Sequence, residues 1–168
     1  MITIQKSLLV LLIGVWSCND ATQEKKFPDS QLDSGIDKIQ LTDLTGQTVN
    51  LKQYSGKTLF INFWATWCKP CLAEMPSIQS AMEILKNENI EFLFASDESV
   101  GQIEDFKNNN DYLFNYVRAE NMEALNIMAL PTTFIFDRNG KLVFSEMGYR
   151  KWDDKRNIDL IKNITKAK

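Results

Sequence analysis

The chain has 168 residues, of which 44% are hydrophobic and 24% are charged, and its formal net charge is −3. These values place it in the ordinary globular class and allow a single domain with a real hydrophobic core. The acidic balance and the lack of a lysine or arginine block argue against a nucleic-acid partner.

Residues 1–17 have the pattern of a signal peptide. Lys6 precedes an apolar run at residues 8–16, which is too short to cross a bilayer comfortably. The run ends in Val-Trp-Ser-Cys at Cys18, which resembles a lipobox, where a cysteine receives diacylglycerol and becomes the new N-terminus. Cys18 is therefore the predicted lipid attachment site. An uncleaved signal anchor and an ordinary signal peptide with an incidental cysteine remain as alternatives, and each of the three exports the chain.

Residues 18–35 are polar and predict a flexible tether. A single folded domain is expected at residues 36–168. We therefore expect a lipoprotein of the cell envelope, exported and anchored to a membrane, with its domain on the periplasmic side.

The first half of the domain is predicted to open with a β-hairpin, whose arms at residues 39–41 and 48–51 flank a turn. Apolar runs at residues 58–64 and 90–96 predict two buried strands. Helices are expected from Pro70 toward residue 87, with Pro76 kinking the helix, and at residues 102–109. Four side chains of the first helix recur at helical spacing and are expected to pack on the sheet: Met75, Ile78, Met82 and Leu85.

The second half is predicted to add a short strand at residues 114–117 and a helical turn at residues 121–125. Strands at residues 130–137 and 142–144 flank an Asn-Gly turn, and residues 153–167 form the last helix. This order predicts an α/β fold, a central mixed β-sheet with helices on both faces.

Trp67-Cys68-Lys69-Pro70-Cys71 is the most informative segment, because two cysteines three residues apart at a helix start can form and open a disulfide. A helix N-terminus lowers the pKa of a thiol, since its free N–H groups and partial positive charge favour the thiolate. Cys68 is thus the candidate nucleophile, expected at the exposed tip of the helix. Pro70 suits the first helical turn, where a backbone donor is not needed.

The cysteine pair has two other interpretations. A zinc site needs two further ligands, yet the chain has no histidine and its third cysteine, Cys18, lies far upstream. Two buried cysteines without chemistry are the second alternative. No metal site is expected.

Two segments carry a family resemblance. The run Phe-Trp-Ala-Thr-Trp-Cys-Lys-Pro-Cys ending at Cys71, followed by Glu74-Met-Pro, and the later Leu-Pro-Thr-Thr-Phe starting at Leu130, resemble the thioredoxin-like fold. More narrowly, they resemble the membrane-anchored thiol-disulfide oxidoreductases of the TlpA/ResA type. The resemblance implies a central mixed β-sheet flanked by helices, an N-terminal β-hairpin extension, and an enzyme without a cofactor.

The resemblance also implies roles for the catalytic residues. Cys68 attacks a substrate disulfide and the more buried Cys71 resolves the mixed disulfide, so that the two form the redox-active disulfide. Asn62 stands where many thioredoxins have a buried aspartate, and the proton relay would pass to Glu74, one helical turn after Cys71. A solvated helix glutamate is the alternative for Glu74.

The loop before Phe134 is implied to carry a cis proline opposite the dithiol, at Pro131. The backbone of Leu130 would then pair with an extended substrate segment. The rest of the predicted substrate-binding set is Trp67, Lys69 and Pro70. Trp67 is expected at the docking surface rather than Trp64.

The resulting hypothesis is an exported reductant of protein disulfides that receives electrons from a transmembrane thiol donor, for example in cytochrome c maturation. A thiol peroxidase of the same fold would place Pro-x-x-x-Thr/Ser-x-x-Cys around its cysteine, a spacing that Cys68 lacks. A copper- or thiol-binding module would pair two cysteines with a histidine, and the chain has none.

Overall fold

The computed structural model describes residues 35–167. The predicted signal peptide, the lipid site at Cys18 and the tether up to residue 34 lie outside these residues. In the described part of the chain, no helix is both long and apolar enough to cross a membrane.

The described residues form six strands, three α-helices and three short 3₁₀ turns. The strands are β1 Leu41–Thr42, β2 Thr58–Phe63, β3 Ile90–Ser96, β4 Tyr116–Ala119, β5 Thr132–Phe136 and β6 Leu142–Met147. The helices are α1 Lys69–Ile84, α2 Val100–Asn108 and α3 Lys155–Lys166. The 3₁₀ turns are Ile36–Lys38, Leu51–Tyr54 and Glu123–Leu125.

One mixed sheet holds all six strands in the order β1-β4-β3-β2-β5-β6. The central strand β2 runs parallel to β3 and antiparallel to β5. Every residue of β2 is buried, as its apolar, aromatic sequence predicted. The C-terminal ends of β2 and β3 therefore meet the start of β5 at one edge of the sheet, and the candidate site lies there.

Side chains alternate between two apolar layers. The face of β2 that carries Phe60 packs in one cluster with the buried apolar side chains of all three α-helices, including Met75, Ile103 and Ile161. The other face, which carries Ile61, packs under the N-terminal segment and the 3₁₀ turns. The expectation of helices on both faces is therefore wrong for the described residues. The crossovers from β2 to β3 and from β3 to β4 move in the same direction across the sheet, and right-handed connections then put α1 and α2 on the same side.

The predicted N-terminal hairpin is reduced to a turn. Asp43 Oδ1 accepts the backbone N–H groups of Thr45 and Gln47, but strand pairing between the arms amounts to one bridge, between Thr42 and Thr48. The first arm, β1, instead pairs with β4 at the sheet edge, and the second arm continues into a 3₁₀ turn. Strand β4 begins two residues later than predicted, because Tyr116 pairs with Phe94 of β3.

Candidate active site

The two cysteines of the motif are joined by a disulfide between Cys68 and Cys71, with their Cα atoms 5.3 Å apart. Cys68 is the N-cap of α1, and its Sγ lies 3.3 Å from the backbone nitrogen of Cys71, whose N–H it accepts. Pro70 lies in the first turn of α1, where its missing N–H leaves no helical bond unmade. The local sequence thus places both sulfurs at the positive end of a sixteen-residue helix.

The exposure of Cys68 differs from the prediction. Its side chain is only 3% exposed and Cys71 only 1%, so both sulfurs belong to the core under α1. The expectation that Cys68 lies at an exposed tip is wrong for this disulfide form, because the N-cap side chain turns back over the first helical turn and bonds Cys71. The exposed residues beside it are Trp67, at 70%, together with Lys69 and Pro70.

The two neighbouring tryptophans have different surroundings. Trp64 is fully buried and its ring contacts those of Phe106 and Tyr116, with centroids 4.7 and 5.6 Å away. Trp67 projects into solvent beside the dithiol. Trp64 is therefore a core residue, whereas Trp67 is available to a docking partner.

Glu98 anchors the loop before the dithiol, a role that sequence reasoning missed. It is 9% exposed; its Oε2 accepts the backbone N–H of Thr66 at 2.7 Å, and its Oε1 accepts the hydroxyl of Thr66 at 2.6 Å. Ser96 adds a third hydrogen bond to this carboxylate. Glu98 follows β3 as Cys68 follows β2, and parallel strands bring their carboxyl ends together. That spacing was the signal that could have revealed Glu98.

Glu74 lies in the core, one helical turn after Cys71, with no exposed surface. Its Oε1 accepts the side-chain N–H of Asn62 at 2.7 Å, and its Oε2 accepts the backbone N–H of Arg150 at 3.1 Å. Burial disfavours the charged carboxylate and raises its pKa from 4.5 to about 7, against the lowering effect of Arg150, Asn62 and Trp152. A solvated helix glutamate is therefore the wrong interpretation of this residue.

Asn62 and Thr133 close the network around Glu74. Asn62 Nδ2 donates to Thr133 Oγ1 at 3.1 Å as well as to Glu74, and both side chains are buried. The register pairs Asn62 with Thr133 across β2 and β5, so both project from the face that α1 covers. Asn62 has no titratable proton, and Glu74 is the ionisable member of this network.

Sequence reasoning also missed Arg150, which lies in the loop after β6. The Arg150 guanidinium forms an ion pair with Glu146 at 3.0 Å, and its Nε donates to Asn157 at 2.7 Å. These contacts hold the backbone N–H of Arg150 toward Glu74, 76 residues away in sequence. Local sequence patterns carry no signal for such a backbone contact.

The Leu130–Pro131 peptide bond is cis, as the resemblance implied. Pro131 is buried and its carbonyl accepts the N–H of Gly148 at 2.7 Å, whereas Leu130 is half-buried. Thr132 pairs with Phe63, the last residue of β2, so Pro131 lies at the same end of the sheet as the dithiol. The structure thus brings the cis proline loop and the cysteine pair to one edge.

In the described residues, three or more histidine, cysteine, aspartate or glutamate side chains nowhere gather into a group able to hold a metal ion. The chemistry available at this edge is that of two sulfurs and one carboxyl group. A dithiol and a neighbouring group with a pKa near neutrality can exchange disulfides and move the associated protons.

Comparisons with known proteins agree with this thiol-disulfide chemistry. A family model described as the AhpC/TSA family matches residues 24–145. The thiol-disulfide oxidoreductase ResA of Geobacillus kaustophilus is 37% identical over 127 residues, 73% of each chain. The thioredoxin-like protein YneN of Bacillus subtilis is 32% identical over 164 residues, 91% of this chain and 94% of its own.

A crystal structure of a DsbE-type thiol:disulfide interchange protein from Chlorobium tepidum superposes with a TM-score of 0.67 at 23% identity. It covers 75% of this chain and 92% of the other. This likeness confirms the predicted thioredoxin-like fold. The likeness to ResA confirms the narrower resemblance that the two motifs carried.

Proposed function

The chain belongs to the AhpC/TSA family and is a thiol-disulfide oxidoreductase, and we propose that it reduces disulfides in exported proteins from a membrane-anchored position. The observation that carries this proposal is the Cys68–Cys71 disulfide at the start of α1, with the buried carboxyl group of Glu74 one turn further along. The disulfide form is the product of such a reduction.

In the reduced protein, the Cys68 thiolate attacks one sulfur of the substrate disulfide. A bond forms between Cys68 and that sulfur, the substrate S–S bond breaks, and the other substrate sulfur leaves as a thiolate that takes up a proton. Cys71 then attacks Cys68, which releases the second substrate thiolate and regenerates the intramolecular disulfide. Two electrons pass from the dithiol to the substrate.

Glu74 is the proposed proton acceptor for Cys71. The resolving thiol must lose its proton before it can attack, and Cys71 is buried away from water. A carboxyl group with a pKa of about 7 is half ionised at neutral pH, so it can both take a proton and return it. Burial and two N–H donors give Glu74 these properties.

The proposed substrate-binding surface surrounds the dithiol. Trp67, Lys69 and Pro70 are exposed on one side of it, and Leu130 and Pro131 lie at the same end of the sheet. An extended substrate segment would pair with the backbone of Leu130 and present its cysteine to Cys68.

The proposed compartment, and with it the proposed direction of electron transfer, rests on residues that precede the folded domain. Lipid attachment at Cys18 would hold the protein at a membrane in the cell envelope, on the periplasmic side, where disulfides persist. A reductant working there needs a supply of electrons, which we assign to a transmembrane thiol donor. The proposed clients are proteins whose cysteines must be thiols before further chemistry, such as the Cys-x-x-Cys-His sites that receive haem in cytochrome c maturation.

The test is the reduction potential of the Cys68/Cys71 couple, measured by equilibrating the protein with glutathione or dithiothreitol buffers at neutral pH. A potential near about −270 mV, that of thioredoxin, is the expected result for a reductant. A value near about −120 mV, that of a strong oxidant, would overturn the direction of the proposal. The Cys68→Ala variant is the control, and consumption of hydrogen peroxide by the wild type would instead favour a thiol peroxidase.

A further inference from the structure

The amide of Asn62 is only half satisfied. Its nitrogen donates to Glu74 and to Thr133, but its Oδ1 is buried and has no hydrogen-bond partner. Buried polar atoms without partners are uncommon in folded proteins, since the lost contact with water is not replaced. The unpaired oxygen is the unused half of a group that faces an ionisable carboxyl.

The ionised and protonated forms of Glu74 need different neighbours. A carboxylate only accepts hydrogen bonds, and the donors around it, which are Asn62 Nδ2, the Arg150 N–H and the side chain of Trp152, suit that form. A protonated carboxyl also donates one hydrogen bond, but all of these groups are donors. In the arrangement observed, a proton placed on Oε1 would therefore meet another N–H.

We propose that the Asn62 carboxamide rotates by half a turn about its Cβ–Cγ bond when Glu74 takes up a proton. Oδ1 then accepts the new O–H of Glu74 and also the hydroxyl of Thr133, which can donate as well as accept. Each orientation makes two hydrogen bonds with the same two side chains. Asn62 is thus a positioning residue that serves both states of the proton acceptor, and the inference rests on the proposed role of Glu74.

An amide suits this position better than an aspartate. Strand β2 places residue 62 at 2.7 Å from the Glu74 carboxyl group, where a second carboxylate would repel the first and could not donate to it. A carboxamide is neutral and carries both a donor and an acceptor at its tip. In this chain the ionisable group lies on the helix, at Glu74, and the strand position that is an aspartate in many thioredoxins is accordingly an amide, Asn62.

The other charged and titratable groups around Glu74 are few. On α1 they are Cys68 and Cys71, which do not titrate while joined in the disulfide. Strand β6 contributes Glu146, and the segment after β6 contributes Arg150, its ion-pair partner. The neighbouring strands β2 and β5 have no ionisable side chain. In the oxidised protein, a titration near neutrality in this network therefore belongs to Glu74.

The test is nuclear magnetic resonance on the full oxidised chain, from about pH 5 to about pH 9, two units on either side of the expected pKa of Glu74. The side-chain carboxyl carbon of Glu74 reports its protonation. The side-chain N–H₂ signals of Asn62 and their nuclear Overhauser contact with the Thr133 methyl group report the amide orientation. Asn89, which donates to Gly56 at the opposite end of β2, is the internal control.

We expect the Asn62 signals to titrate with the same midpoint as the Glu74 carbon, and the contact with the Thr133 methyl group to weaken at low pH. Both changes should vanish in Glu74→Gln, and the Asn89 signals should not move. If Glu74 titrates while the Asn62 contacts stay constant, the rotation is overturned and the role of Glu74 stands. If the Glu74 carbon does not titrate in this range, the proposed role of Glu74 as proton acceptor is overturned together with the rotation.

Asn62→Leu gives a second measurement. An amide that served the carboxylate alone would favour ionisation, and its removal would then raise the pKa of Glu74. A rotating amide serves the protonated form as well, so its removal costs both forms a hydrogen bond and should leave the pKa of Glu74 near its wild-type value. A clear rise of the Glu74 pKa in a folded Asn62→Leu variant would show that the amide serves the carboxylate alone, and would overturn the rotation.

Discussion

Glu74→Gln should change how the stability of the oxidised protein depends on pH. The folded-state pKa of Glu74 is about 7, against 4.5 for an unperturbed group, because the carboxylate is buried. The fold therefore binds this proton more tightly than the unfolded chain does. The resulting stabilisation is fully present below about pH 4.5 and is lost as the pH rises through about 7. Glutamine is neutral at every pH, so the Glu74→Gln variant lacks this pH-dependent contribution to stability.

The size of the effect follows from the two pKa values. A difference between 4.5 and about 7 corresponds to about 3 kcal/mol, at about 1.4 kcal/mol per pKa unit. Replacing Glu74 by glutamine also alters hydrogen bonds to Asn62 and Arg150, and any change in those bonds when Glu74 is protonated is already contained in the pKa of Glu74. The informative quantity is the change in stability with pH, compared between the two proteins.

The assay is urea unfolding of the oxidised proteins at about pH 4 and about pH 8.5, with the free energy of unfolding extrapolated to water. Between these values the wild type should lose about 3 kcal/mol more stability than Glu74→Gln. Glu83→Gln, an exposed position on the same helix, is the matched control and should follow the wild type. Parallel pH curves for the wild type and Glu74→Gln would refute a buried, neutral-pH carboxyl group at this position.

Three further substitutions test other parts of the site, and Trp64→Ala is the core control for the third. Cys71→Ala should leave Cys68 able to attack and should trap a mixed disulfide with substrate that mass spectrometry detects, since the resolving thiol is absent. Glu98→Ala should destabilise the oxidised protein by about 1–3 kcal/mol in urea unfolding, because the N–H and hydroxyl of Thr66 lose the carboxylate that accepts them. Trp67→Ala should raise KM for a protein disulfide but not for a small aromatic disulfide, whereas Trp64→Ala should cost about 3–5 kcal/mol of stability.

Each of these outcomes has a counterpart that would contradict it. Turnover by Cys71→Ala at the wild-type rate would show that resolution does not need the second cysteine. Wild-type stability in Glu98→Ala would mean that the Thr66 loop is held by other contacts. Equal effects of Trp67→Ala on large and small substrates would remove Trp67 from the docking surface.

The secondary structure and the reactive pair could be predicted because their signals are local. Strand β3 coincides with the predicted residues 90–96, since an unbroken apolar run that ends at a polar segment is informative by itself. The helix start at Lys69 follows from a proline suited to the first turn. The cis bond before Pro131 was implied by the motif around it and not by any physical preference of the local chain.

The sequence patterns failed where the result depended on how elements come together. The burial of Cys68 depends on a side chain that turns back over its own helix and bonds Cys71. The position of α1 and α2 on one face depends on the direction in which successive crossovers move across the sheet. Neither feature leaves a periodic trace in the residues that form it.

By itself, the sequence determined the chemistry of this protein: two cysteines at a helix start, a glutamate one turn later, and a strand that carries an amide in place of an acid. Only the tertiary structure decided that the glutamate has a pKa near neutrality. The shift arises because α1 presses Glu74 against β2 and away from water, and the N–H of Arg150, which comes from 76 residues away, offsets only part of it. Exclusion of water is a collective result of packing, and a carboxyl group in a linear sequence has an ordinary pKa until the chain folds around it.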